Sequence, residues 1–289
     1  MGQKNEAISK QENKNNNLIL NADIDSENEE YILEGKCGDS VKIEKNIEKK
    51  LFEKAQNATC KIISEVIGTG FFFEIPYRYI FERKKRIKAL LTNNHVLNEE
   101  SLKIGKKIKI LYKGQSKEIK ITNDGLCFTD SRDYKKGLDY TFIQIFDDDG
   151  ILDFFQIFND NINFEHEIVS LVGYYNGVDF SIKNGHLKDI KNYKIYHSID
   201  TDHGCSGAPI ILTYREFEVI GIHRCFIDKK KLNLGSNFRD ILNDLYDKDL
   251  VKKMKEIQIW PIGICRIPGI GFNYDQYFED DFFDFDEKW

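Results

Sequence analysis

No run of apolar residues in this 289-residue chain is long enough to span a bilayer. Met1 to Leu20 is polar and lacks the apolar h-region of a signal peptide. The N-myristoylation pattern fails as well: Gly2 follows Met1, but position 6 is Glu6 rather than serine or threonine. A basic stripe is also missing, which argues against a nucleic-acid partner and against a helix lying on a membrane surface. The formal net charge is -6. Asp275 to Trp289 alone carries seven acids and one lysine, so the remainder balances at 41 basic and 41 acidic residues. The six cysteines, Cys37, Cys60, Cys127, Cys205, Cys225 and Cys265, are too few and too dispersed for a disulfide scaffold. They are expected to be mostly reduced. Together these absences predict a cytoplasmic protein with neither nucleic acid nor membrane as partner.

What the chain does have is the makings of a packed core. Hydrophobic residues are 41% and aromatics 13%, enough for a globular rather than a disordered protein. Frequent isoleucine, phenylalanine and tyrosine favour strands. Residues 1–40 read as a disordered polar tail. Residues 41–58 read as an amphipathic helix, with Ile43, Ile47 and Leu51 recurring every four positions among lysines and glutamates. From Thr59 onward the pattern becomes short β-type runs separated by turn residues, such as Thr69–Glu74, Ile87–Thr92, Lys107–Tyr112 and Glu218–His223, which predicts an all-β fold. Phe238 to Tyr246 reads as a helix, with Asn237 as its N-cap. The main domain is expected over 59–247, divided near 150–165. Residues 248–289 form an extension ending in an acidic, aromatic tail.

Three short motifs carry chemistry. In Gly204-Cys205-Ser206-Gly207-Ala208-Pro209, a serine sits on a glycine-flanked turn entering a strand. The turn exposes its hydroxyl, and the flexible glycines let the N–H groups of Gly204 and Ser206 converge as an oxyanion hole. In Leu90-Leu91-Thr92-Asn93-Asn94-His95, an apolar strand ends in a polar turn and a histidine, the base a serine hydroxyl needs. In Gly137-Leu138-Asp139-Tyr140-Thr141-Phe142, an aspartate enters an apolar strand, where a carboxylate needs a partner. Pairing with a histidine N–H would fix the tautomer and stabilise the imidazolium.

In the order histidine, aspartate, serine, these segments resemble the trypsin-like, chymotrypsin-fold serine peptidases. Gly68-Thr69-Gly70-Phe71 and Val219-Ile220-Gly221-Ile222-His223 fall where that family also has its motifs. The resemblance spans about Cys60 to Leu245. It implies two six-stranded antiparallel β-barrels with a C-terminal helix, and a cleft between the barrels holding His95, Asp139 and Ser206. It implies no cofactor and no metal, and a protein or peptide substrate. The chain departs from the digestive members: no cysteine pair flanks His95, and Cys205 replaces the aspartate that pairs with a freshly cut N-terminus. Activation by that cut is therefore not expected.

Within the family, the closest resemblance is to the glutamyl endopeptidases, which imply a preference for an acidic residue on the acyl side of the cut bond. Thr201, five before Ser206, and His223 would bind that carboxylate, and Arg224 would stand beside them as a further candidate. The acidic tail, with Glu279 and Glu287, would then be able to visit the pocket. Three other readings stand beside this one. Cys205 is adjacent to the nucleophile position but is not at it. His203-x-Cys205 and His223-x-Cys225 contain zinc-type ligands at a spacing unlike a common finger. A catalytically weak peptidase fold that binds peptides would have no need of all three of His95, Asp139 and Ser206.

Overall fold

The computed structural model describes residues 31–75, 87–132, 137–158 and 167–258, the last ten of these as backbone only. The first half contains β1 (Tyr31–Ile32), α1 (Lys45–Ala58), β2 (Thr59–Ile63), β3 (Gly68–Ile75), β4 (Ile87–Thr92), β5 (Lys107–Tyr112), β6 (Gln115–Lys120), β7 (Cys127–Thr129) and β8 (Thr141–Gln144). The second contains β9 (Ile168–Tyr175), β10 (Asp179–Lys191), β11 (Lys194–His197), β12 (Pro209–Leu212), β13 (Val219–Ile227), β14 (Leu232–Asn237) and α2 (Phe238–Gln258). The chain divides into two units between Asp247 and Lys248. The second unit contributes only the end of α2 to the described residues.

Both sheets are antiparallel. The first runs β6-β5-β2-β3-β4-β8-β7 and curls without closing. The second runs β1-β13-β12-β9-β10-β11-β14, and an additional β13–β14 pairing closes six of its strands into a barrel. The fold is thus mostly β and chymotrypsin-like, as expected. It differs from two six-stranded barrels in that the first is an open half-barrel and each sheet carries one extra short strand.

The apolar runs explain why these strands are central. Along β3, Phe71 and Phe73 face a cluster shared with Val172, Ile211, Ile222 and Phe238, whereas Phe72 faces Ile62, Leu90 and Ile110 inside the first sheet. A strand buried on both faces reads as a continuous apolar run instead of an alternation. The same holds on β12, where Ile211 faces the shared cluster and Ile210 and Leu212 face the interior of the closed barrel. Leu51 and Ala55 of α1 also enter the shared cluster. The helix begins at Lys45 rather than Val41, so Ile43 lies outside it. Asn237 accepts a hydrogen bond from the Arg239 N–H at 3.0 Å and so caps α2. That helix runs on to Gln258, twelve residues beyond Tyr246.

One expectation is corrected outright. Residues 31–40 are not part of a solvated tail. Tyr31 and Ile32 pair with Ile227 and Phe226 of β13, and the residues after them are tied to the loop 197–202 by backbone and side-chain hydrogen bonds. The reason is local: Tyr31-Ile32-Leu33 is an apolar triplet that adds to a sheet edge, and Gly35 fits closely against the ring of Phe226. Residues 1–30, and the acidic tail with Glu279 and Glu287, lie outside the described residues.

Candidate active site

The three motif residues stand at the junction of the two sheets. His95 follows β4, Asp139 precedes β8, and Ser206 lies on the turn before β12. His95 Nδ1 is 2.7 Å from Asp139 Oδ2, and the His95 backbone N–H donates to Asp139 Oδ1 at 3.1 Å. The Asp139 carboxylate is fully buried. Its backbone adopts φ 50°, a left-handed conformation that aspartate tolerates better than most residues.

The loop bearing Asp139 is pinned on several sides. Asn93 donates to the Asp139 carbonyl at 2.8 Å, and Ser236 of β14 donates to the Leu138 carbonyl at 2.6 Å. The Tyr140 hydroxyl donates to Asp244 of α2 at 2.6 Å. The Leu138 N–H donates to Asp130, whose carboxylate also takes Arg132 in a two-pronged pair. Arg132 and that N–H hold Asp130 below the usual carboxylate range despite the burial that opposes them. Residues of both sheets and of α2 thus fix where the Asp139 carboxylate points.

The serine turn is locked against the first sheet. The Thr69 N–H donates to the Ser206 carbonyl at 2.8 Å, and the Thr69 hydroxyl donates to the Gly204 carbonyl at 2.7 Å. Gly207 has φ 85°, and a Cβ there would overlap the Thr69 carbonyl and the Thr92 hydroxyl. Gly204 has φ 90° and lies equally close to the Tyr174 carbonyl. Both glycines are therefore demanded by backbone conformation and by close approach. Cys205 turns into the closed barrel and is fully buried. Burial pushes its thiol well above the usual range, which disfavours the reactive thiolate. All five described cysteines are free thiols. Among the described residues no group of three or more metal-type ligands is assembled, and Cys225 packs with Tyr196, Ile227 and Leu234.

The pocket side of the site is occupied by a residue that sequence reasoning missed. The Ser206 hydroxyl donates to Glu34 Oε1 at 3.2 Å, and Glu34 Oε2 is 3.4 Å from His223 Nε2. Burial pushes the Glu34 carboxyl from 4.5 up to about 8, against the pull of the Ser206 hydroxyl and of the nearby His95. His223 is fully buried, and burial, then the charges of His95 and Arg224, pulls it down to about 3. Glu34 and His223 are therefore not an ion pair near neutral pH. His197 of β11 packs edge-on against His223, ring centroids 5.4 Å apart. Burial and His223 hold it well below the usual imidazole range. Among the described residues, neither ring nitrogen of His197 or of His223 has a hydrogen-bond partner.

Thr201 is present at this pocket, but its hydroxyl is engaged. It accepts from the Gly35 N–H at 3.0 Å and lies 2.9 Å from Asn233 Oδ1 as donor. Asn233 in turn donates to the Ile199 carbonyl at 2.6 Å and the Gly35 carbonyl at 3.2 Å. Arg224 is the extra residue of a bulge between His223 and Cys225, and its fully buried guanidinium lies 6.0 Å from the Tyr193 ring centre. The signal that would have found Glu34 is the apolar triplet before it in an otherwise polar stretch. Asn233 and His197 carry no sequence signal that separates them from ordinary core polar residues.

A family model described as the trypsin-like peptidase domain matches residues 68–222. Among curated protein sequences none matches this chain. Among solved structures, the serine endoprotease from Yersinia pestis is similar at 16% identity and TM-score 0.50, over 72% of this chain and 68% of that one. The inactive form of the Rv3671c protease of M. tuberculosis is similar at 13% identity and TM-score 0.51, over 72% of this chain and 98% of that one. At these identities the likeness shows the fold alone.

Proposed function

Because the chain belongs to the trypsin-like peptidase domain family, we propose that it is a serine endopeptidase, with Ser206 as nucleophile, His95 as general base and Asp139 orienting the histidine. The observation that carries this reading is the 2.7 Å contact between His95 and the buried Asp139, at a site whose serine hydroxyl is accessible to a carboxylate. Asp139 fixes the proton on His95 Nδ1, which leaves Nε2 as the basic nitrogen. His95 takes the Ser206 proton as Oγ attacks the substrate carbonyl carbon. The resulting oxyanion is held by the N–H groups of Ser206 and Gly204. Collapse expels the amine, which takes the proton from His95 and leaves an acyl-enzyme. Water, deprotonated by His95, then releases the acid and restores Ser206.

The acyl-side pocket takes an acidic side chain. The support is that a carboxyl group of the chain itself, that of Glu34, lies between Ser206 and His223, with Thr201 beside it. A buried neutral imidazole offers an N–H to a carboxylate without adding a charge of its own. Backbone pairing along Phe226 and Ile227, the register that Tyr31 and Ile32 use, supplies the rest of the recognition of a peptide or protein substrate. The test is cleavage of a peptide library with every residue at the acyl-side position. Acidic residues at the top support the pocket, and apolar or basic ones remove it.

A further inference from the structure

We propose that residues 31–34 are a stopper built into the chain, seated in the substrate cleft, and that they must leave before a peptide can reach Ser206. The inference rests on the reading of Ser206 as nucleophile and adds a regulation to it.

Three observations meet at this segment. First, β1 adds to β13 at Phe226 and Ile227. The opposite side of those two residues is already paired with Asn233 and Leu232 of β14, so β1 takes the one side on which a peptide could add. Second, Glu34 engages the nucleophile. The Ser206 hydroxyl, which must pass its proton to His95 for catalysis, donates to Glu34 Oε1 at 3.2 Å. An acyl group cannot occupy that place at the same time. Third, Gly35 lies where a side chain would overlap the Phe226 ring, so the backbone itself fills the space between Phe226, Thr201 and Asn233.

The segment is built to release at one end. Its foot is fixed: the N–H groups of Cys37 and Gly38 both donate to Asp200 Oδ1, at 2.6 and 3.0 Å, and Lys188 pairs with Asp39 at 2.7 Å. Its tip is held less well. Ile32 and Leu33 are 42% and 41% exposed, so withdrawing them uncovers little apolar surface. Among the described residues, Glu34 Oε2 is buried without a hydrogen bond, a cost borne only while the tip is docked. A short strand with exposed apolar side chains and an unsatisfied buried oxygen belongs to the low-stability end of a fold, where local opening occurs first.

The test uses the full chain and the rate at which a fluorophosphonate labels Ser206. Glu34→Ala removes the carboxylate, and Ile32→Pro removes the strand pairing by a separate route. Each should label about tenfold faster or more than wild type, with an unchanged melting temperature to show that the barrels persist. The free peptide Tyr-Ile-Leu-Glu-Gly-Lys should slow the opened variants again. Amide exchange at Gly35, protected in wild type by Thr201, should become fast in Ile32→Pro. Equal labelling rates in wild type and both variants overturn the stopper and leave the peptidase reading intact. Absence of labelling in every form overturns the peptidase reading, and the stopper with it.

Discussion

His95 and Asp139 are joined twice, ring to carboxylate and backbone N–H to carboxylate, so the same aspartate sets both the tautomer of the imidazole and the position of its backbone. Asp139→Asn keeps the shape but presents an amide that satisfies the wrong tautomer. Peptide hydrolysis should fall by about 10³- to 10⁴-fold, with KM little changed. A fall of less than tenfold in kcat would mean that Asp139 does not orient His95.

The docked Glu34 makes activity depend on pH in a direction that is fixed by its raised carboxyl. Docked, it holds its proton up to about pH 8, whereas free it releases it near 4.5. The docked state therefore binds more protons, and docking is strongest below 4.5. It weakens by up to tenfold per pH unit as pH rises toward 8. The groups facing Glu34 are His95, His223, Ser206, Thr201, Cys205, Cys225 and Tyr175. Glu34→Gln tests this directly. The amide mimics the protonated acid at every pH, so this variant should stay closed at pH 8 and label more slowly there than wild type. Identical pH–rate profiles for wild type and Glu34→Gln would show that Glu34 does not titrate in the docked state.

His223→Ala tests the pocket. A site that hydrogen-bonds a substrate group discriminates against substrates lacking it, because its own polar groups are then left unpaired. The turnover ratio of glutamyl over glutaminyl peptides should drop by roughly tenfold or more, while Ser206 keeps its reactivity toward a fluorophosphonate. An unchanged ratio would remove His223 from the pocket's chemistry.

Gly207→Ala tests the joint between the sheets. The new methyl meets the Thr69 carbonyl and the Thr92 hydroxyl, at a positive φ that alanine disfavours. Strain and overpacking together should cost about 2–4 kcal/mol, read as a shift in the denaturant midpoint. A loss under 0.5 kcal/mol would mean that the turn relaxes away from Thr69.

The sequence made the motif residues legible because each lies at the end of an apolar strand, on a turn whose residue types are chemically constrained. Strands buried on both faces, such as β3 and β12, were legible as continuous apolar runs. What escaped has a common cause: segments whose packing is polar or borrowed. β14 buries Asn233, Gly235 and Ser236, so its sequence shows no alternation of apolar residues. β6 is an edge strand with only Ile119 buried, and its lysines and glutamate read as a loop. β1 pairs with β13, a neighbour 194 positions away in the register Ile32 to Phe226. Glu34 is an ordinary surface glutamate until that pairing delivers it to Ser206.

The most direct measurement is fluorophosphonate labelling of the full-length chain, with the modified residue located by mass spectrometry. The account predicts labelling at Ser206 that is abolished by His95→Ala, that rises in Glu34→Ala, and that proceeds with Met1 still attached. Labelling at Cys205, labelling that survives His95→Ala, or no labelling in any form would contradict it and leave a fold that binds peptides without cutting them.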